Sequence, residues 1–329
     1  MMRFAPSALL SLALLAACSQ SAADAPIADQ WRAVEVTATP VEFGAERVGA
    51  LIFRGGVELR SEDVAFGGLS GLEIIEDNRL IAISDDGHWF EGRLSLDENG
   101  ALIGVADMRV ALMRGEDGEP FANKRAGDSE GLAQLPDGRF AVSFEQTQTL
   151  RIYDLNRDGP FGAAHAGPRL ADVRRLPDNA GLEALAASET GALLVGAEGG
   201  GGETTLWLAP LDANGPAPPI AHYALAPGFS LTSLDRLPSG GFVALERFYA
   251  PVIGPRARVT RFSEDAVRAR NGEVDADLLA LIEPPLALDN FEGVAAVARS
   301  DGGVRLYIVS DNNFRDSQRT LLLAFDVAE

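Results

Sequence analysis

The chain is short of the residues from which most catalytic centres are assembled. Its 329 residues hold one cysteine and three histidines. A single cysteine, Cys18, forms no internal disulfide and no thiolate metal site, and its place near the N-terminus argues against thiol catalysis. No Gly-x-Ser-x-Gly elbow accompanies His88, His165 and His222, so serine-hydrolase chemistry finds weak support. Residues 199–202 are all glycine, but Glu203 follows without the lysine of a phosphate loop. Positive charge is scarce as well. Lysine and arginine number 28 against 48 acids, a formal net charge of −20. Such an excess repels nucleic acid and anionic bilayers, and it suits a protein that binds cations. No segment after residue 20 keeps a 3.6-residue apolar period for long, which excludes a helical array. The main exception, residues 263–281, has room for a helical turn or two.

Residues 1–18 read as a targeting segment rather than as structure. Arg3 supplies the positive start, and the apolar run 8–17 is too short to cross a membrane. Leu15-Ala16-Ala17-Cys18 resembles a bacterial lipobox, which makes Cys18 the expected site of lipidation; the alternative is an ordinary secreted protein. Residues 19–30 form a polar tether. Ser19 in place of aspartate resembles lipoproteins sent to the outer membrane. The expectation is a monomer on the cell envelope, lipid-anchored and facing the periplasm, with residues 31–329 as one domain.

What the chain has in quantity is a repeat. Residues 69–96, 128–155, 180–211, 231–262 and 289–327 each read as an apolar strand, a turn, a second apolar strand and a third. An acid stands at each entry: Glu73, Glu130, Glu183, Asp235 and Glu292. Another ends each second strand: Asp85, Glu145, Glu198, Glu246 and Asp311. Fourth strands are expected at residues 101–110, 170–174, 220–225 and 278–282. The second strands are apolar on both faces, as strands packed between neighbouring sheets must be. The fold expected is all-β, a single β-propeller of four-stranded blades. Five repeats are clear, and a sixth blade would require residues 31–60 to pair with inserted sequence. The last repeat lacks a fourth strand, and residues 50–59 are expected to supply it and close the ring.

In such a ring the entry acids converge on a central channel, where like charges must be protonated or neutralised. Calcium, which takes about six to eight oxygens, is the usual hard cation for clustered carboxylates. The candidate ligands are Glu73, Glu130, Glu183 and Glu292 with Asp85 and Asp311. The second-strand acids are expected one strand further out, at the opposite rim. Asp86 and His88 form a candidate acid–base pair, and Glu145 and Glu246 are carboxylates that could act as base. Arg247, Arg258 and Arg319, with Asn312, are candidates to hold an anionic substrate group. The plainer reading of these residues is that the acids cap strand ends and the arginines brace neighbouring blades.

The motifs GGLSGLE at 67–73, ISDDG at 83–87, DSEGLA at 128–133 and VSFE at 142–145 point to a family. So do LERF at 245–248, followed by Gly254 and Arg258, and NFEGVA, SDNNF and QRTLLLAF within 290–325. Together they resemble the phytase-like, or "esterase-like activity of phytase", family of secreted bacterial proteins. The resemblance implies hydrolysis of a small-molecule ester or phosphate ester, with a remote relation to calcium-dependent propeller phytases. The chain lacks the dense run of lysines and arginines that a highly phosphorylated substrate requires. Two other classes fit the same residues: a gluconolactonase- or arylesterase-type lactonase, and a non-catalytic propeller that binds a ligand or protein. If Cys18 carries the anchor, Cys18→Ala should release the protein from membranes or stop its processing. Fractionation of cells expressing the variant checks this, and normal membrane retention would count against the anchor.

Overall fold

Strand Arg79–Ser84 shows why apolar residues on both faces are needed. Leu80 and Ala82 pack with Leu72, Phe90 and Tyr307, whereas Ile81 and Ile83 pack with Trp89, Leu132 and Phe140. Successive side chains point to opposite faces of a strand, so one strand feeds two cores. Leu193–Ala197 does the same: Leu193 and Val195 join Leu150 and Leu185, and Leu194 joins Leu234 and Phe242. Each such core lies between two neighbouring sheets, and none is enclosed by one sheet alone.

The computed structural model describes residues 31–176, 180–199, 201–269 and 272–328. The lipobox with Cys18 and the tether 19–30 lie outside the described residues. The repeats form antiparallel units. The first runs Leu69–Ile75, Arg79–Ser84, His88–Leu96 and Leu102–Leu112 from the inside outward. The second runs Ser129–Gln134, Phe140–Phe144, Thr149–Tyr153 and His165–Ala166. The third runs Leu182–Ala187, Leu193–Ala197, Glu203–Ala209 and Pro219–Ala224, with Glu273–Val274 added in parallel outside. The fourth is Ser230–Arg236, Phe242–Ala250, Gly254–Phe262 and Asp277–Ile282. The fifth begins Asn290–Ala298, Val304–Asp311 and Thr320–Val327. The inner strands neighbour one another in cyclic order, and the last meets the first. The arrangement is a near-closed, β-propeller-like ring.

The ring closes as the sequence suggests. Leu51–Arg60 pairs antiparallel with Thr320–Val327, placing Leu59 opposite Thr320 and Phe53 opposite Phe325. Phe43 stacks on Phe53 and meets Phe325 edge-on, each at 5.1 Å between centroids. Asp326, almost fully buried, accepts from Arg54 at 2.6 Å and Arg305 at 2.7 Å, with Arg299 at 3.2 Å. At Gly55 the closing strand touches Leu102 of the first unit. Gly55 has φ +91°, and a β-carbon there would lie 2.3 Å from the Leu102 carbonyl oxygen.

Two expectations are corrected. Residues 170–174 are not the fourth strand of the second unit; His165–Ala166 is, because Asp172 takes a left-handed φ of 64° and Val173–Arg175 turn into a short 3-10 helix. Residues 31–48 build no further unit. Arg32–Ala33 extends the outer edge of the first, and Thr37–Pro40 and Arg47–Val48 pair with the closing strand. The helical turn expected within 263–281 is Glu264–Arg268, capped by Ser263. Among the described residues no helix is long and apolar enough to cross a membrane. Gly55→Val should cost about 2 kcal/mol or more, since it combines a left-handed backbone with a clash against backbone. Thermal melting checks this, and an unchanged midpoint would show that closure tolerates a side chain there.

Candidate functional site

Each inner strand is bulged near its start. The register slips between Leu69 and Gly71, Leu182 and Ala184, Leu231 and Ser233, and Phe291 and Gly293. In the second unit Glu130 and Gly131 together face Ser143, whose hydroxyl accepts from the Gly131 N–H at 2.8 Å. A bulge frees one residue from the ladder and re-aims its side chain. The bulged residues are therefore Ser70, Glu130, Glu183, Thr232 and Glu292. The two hydroxyls tie their units to the next: Ser70 Oγ donates to the Ser129 carbonyl at 2.7 Å, and Thr232 Oγ1 to the Phe291 carbonyl at 3.2 Å. The three glutamates lie close enough to repel one another electrostatically.

The second-strand acids stand at this same mouth, not at the opposite rim. Adjacent strands run antiparallel, so the end of a second strand lies beside the start of its inner strand. The Asp85 N–H donates to the Gly68 carbonyl, Glu145 to Asp128 and Glu198 to Gly181, each at 2.9 Å. Two of these acids need glycine beside them. A β-carbon at Gly68, φ +62°, would lie 2.2 Å from Asp85 Oδ1, and one at Gly181 would lie 1.9 Å from Glu145 Cγ. The result is a tight group in which carboxylate oxygens of Asp128, Glu130 and Glu145 all lie within 4.8 Å of one another. Such a group can coordinate a metal ion. Asp128 carried no role in the sequence reading. Its signal was the paired acid of Asp128-Ser129-Glu130, with one acid before the strand and one on the bulge.

Two cations meet these acids. Lys124 Nζ lies 2.5 Å from Asp85 Oδ2 and 3.4 Å from Asp128 Oδ1. Arg247 donates through Nη1 to Asn290 Oδ1 at 2.7 Å, and it lies 3.4 Å from both Glu198 and Glu292. They do not balance the acids. Burial, reinforced by neighbouring carboxylates, pushes the Glu130 and Glu183 carboxyls well above the ordinary range. Burial raises Glu292 to about 8 despite Arg247, and Asp311 to about 6. Asp85 and Glu198 are raised for the same first reason, against the pull of Lys124 and Arg247.

Glu73 stands apart from this group. It and Asp235 lie three residues beyond the bulge, about 10 Å further along the strand. Each accepts a backbone N–H from the next inner strand, Gln134 at 2.7 Å and Ala296 at 2.6 Å. Burial raises both, Asp235 to about 7. Glu246 is fully buried and accepts from Tyr223 Oη at 2.8 Å and Arg258 Nη1 at 2.6 Å. It and Arg258 form a brace, with Glu246 fully buried and Arg258 partly so. Asn312 Oδ1 accepts from the N–H groups of Gly68 and Phe314 at 3.2 and 3.1 Å, and Arg319 Nη2 donates to the Leu288 carbonyl at 3.3 Å, so both hold loops. His88 turns inward, Nδ1 3.5 Å from Ser84 Oγ, and burial lowers its pKa; Asp86 is exposed beside it. Arg247 alone of the proposed substrate arginines reaches both the acids and a cleft of about 580 Å³, which Tyr249, Asn313 and Arg315 also line.

In the metal-free protein these carboxyls set the pH dependence of stability. The folded state keeps their protons to higher pH than the unfolded chain does. Their contribution is therefore most favourable below the ordinary value of 4.5 and is lost as pH rises through about 8 for Glu292. Glu292→Gln should flatten that fall by up to about 1.4 kcal/mol per pH unit. Melting curves in chelator from about pH 5 to 8 test this. Parallel curves for parent and variant would show that Glu292 titrates alike in both states.

Residues 64–314 match the family described as "Phytase-like: Esterase-like activity of phytase". No curated protein matches the chain. Among solved structures, a gluconolactonase from Xanthomonas campestris is 12% identical, with 90% of this chain and 98% of that one covered and a TM-score of 0.45. The PQQ-bound aldose sugar dehydrogenase of Streptomyces coelicolor is 15% identical, with 89% and 99% covered and a TM-score of 0.41. A protein of unknown function from Dyadobacter fermentans is 12% identical, with 90% and 95% covered and a TM-score of 0.45. Likeness at this level bears on no residue of the channel. The family match spans most of the chain, and the chain belongs to the phytase-like family.

Proposed function

We propose that the protein is a calcium-dependent hydrolase of carboxylic or phosphate esters, built on a propeller of five four-stranded blades. The observation that carries this reading is the approach of Asp128, Glu130 and Glu145 to within 4.8 Å at a mouth already crowded with acids. The donors are carboxylate oxygens, which suit a hard cation such as calcium rather than a thiophilic metal. Three carboxylates leave further positions for water and substrate in a shell of about six to eight. A cation held there would reverse the local sign of charge, polarise a carbonyl or phosphoryl oxygen and acidify a bound water.

The chain's own residues supply the rest. Glu183 stands on the bulge next to Glu130, outside the close trio; a cation beside it would favour its ionised form and leave it the carboxylate able to take a proton. Arg247 lies between the acids and the cleft and orients the anionic group of the substrate. Lys124 must leave Asp128 when a cation binds, which its exposed side chain permits. Two cations at the mouth suit a substrate with one anionic group better than one with many. A lactone is an ester, so lactonase chemistry lies within reach of the same site. Lipidated at Cys18, a monomer would work at the outer membrane, facing the periplasm.

Chelated protein returned to calcium tests the reading. Calcium at about 100 times its Kd should stabilise the parent by about 2.7 kcal/mol. Glu130→Gln and Asp128→Asn should lose most of that gain, together with hydrolysis of a reporter ester or phosphomonoester. A parent whose melting ignores calcium up to about millimolar levels removes the metal from the site. The carboxyls would then be protonated structural groups, and a ligand-binding propeller would replace the enzyme.

A further inference from the structure

Large apolar side chains that project into solvent are concentrated on one face. Among the described residues seven large apolar side chains are more than 45% exposed; Ile103 and Leu278 stand elsewhere, and the other five are Val64, Tyr249, Val252, Ile253 and Phe314, of which Val252 reaches 98%. All five sit on segments at the mouth side of the ring. Residues 61–68 lead into the first inner strand, residues 249–254 form the hairpin after the fourth unit's second strand, and residues 312–319 follow the fifth unit's second strand. The segments adjoin one another. Tyr249 and Asn313 line one cleft, and Val64 and Phe314 line the next. Scattered apolar residues on a surface need no explanation, but a contiguous arc does.

The hairpin is paired up to its tip: Phe248 with Arg256, Tyr249 with Pro255 and Ala250 with Gly254. Its sequence from 249 to 254, YAPVIG, carries no charge. Below the tip, Arg256 is partly exposed, 3.4 Å from Glu283, and Arg315 is exposed on the neighbouring loop. An uncharged projecting tip with the Arg315 guanidinium exposed beside it fits an interface in which apolar side chains meet acyl chains and arginine meets phosphate, while the exposed acids Glu62 and Asp316 stay in the headgroup water. The tips are convex, so a broad, yielding surface fits them better than a small ligand does. The chain also enters at this face. Arg32 pairs with Asp63 at 2.8 Å between Nη2 and Oδ1, and the tether 19–30 leads to it from Cys18.

We propose that this face rests on a phospholipid bilayer, with the 249–254 hairpin and Phe314 in the interface and the channel mouth turned toward the membrane. The inference is independent of the chemistry proposed for the acids.

The full-length chain is mixed with vesicles of phosphatidylcholine carrying brominated acyl chains, which quench nearby tryptophan. Val252→Trp reports from the hairpin tip. Leu278→Trp is the control, because Leu278 is 52% exposed but pairs with Thr260 at the far end of its unit. The added fluorescence of Val252→Trp should be quenched at least about twofold more than that of Leu278→Trp. Val252→Asp with Ile253→Asp should weaken partitioning about tenfold. Equal quenching of the two reporters, or none, would overturn the proposal. So would a dimer in sedimentation that the double aspartate variant abolishes, since the arc would then bind a second copy.

Discussion

The antiparallel pairing of Leu51–Arg60 with Thr320–Val327 joins the two ends of the described fold. It covers the outer flank of the core that the first and last units share through Leu72, Phe90 and Tyr307, where Val57 and Leu59 of the closing strand also pack. The pairing is backed by apolar contact around Phe53 and Phe325 and by the arginines on buried Asp326. A buried carboxylate gripped by several guanidinium groups is costly to disrupt, because removing one partner leaves the other desolvated. Cooperativity follows: each sheet shares its apolar faces with two others, so no unit is stable alone.

Within that ring the chemistry is one of crowding. Strand direction forces inner-strand acids and second-strand acids to one mouth, and two cations cannot satisfy them. The group resolves its repulsion in one of two ways, by holding protons or by holding a cation. Proton and metal therefore compete, and affinity for a divalent ion should weaken toward acid pH.

The ring was legible in the sequence because its cause is local. Two-sided apolar strands such as LIAIS and LLVGA, spaced by turn residues, have few other homes. The closing strand was legible from an unpaired edge and a leftover strand-like run. The register of the acids was not. Gly71-Leu72-Glu73 and Gly181-Leu182-Glu183 look equivalent, yet Glu183 occupies the bulge and Glu73 lies three residues past its own bulge at Ser70. A bulge leaves no mark in a period-two pattern, since it inserts one residue where the strand begins. The helpful sign was chemical: Asp128 and Glu130 two residues apart, with Glu145 ending the strand opposite. Glu246 deceived for the converse reason. It holds the same sequence slot as Glu145, but Tyr223 and Arg258 bring it inside the protein.

Because a bulged residue has no partner across the ladder, its identity is not tied to strand pairing. Ser70, Glu130, Glu183, Thr232 and Glu292 occupy equivalent sockets, and two of them already accept a neutral hydroxyl. The socket takes either kind of side chain: a hydroxyl that ties one unit to the next, as at Ser70 and Thr232, or a carboxylate that adds charge to the mouth, with the ladder register unchanged. A ring of this construction can change the charge of its acidic mouth without moving a strand.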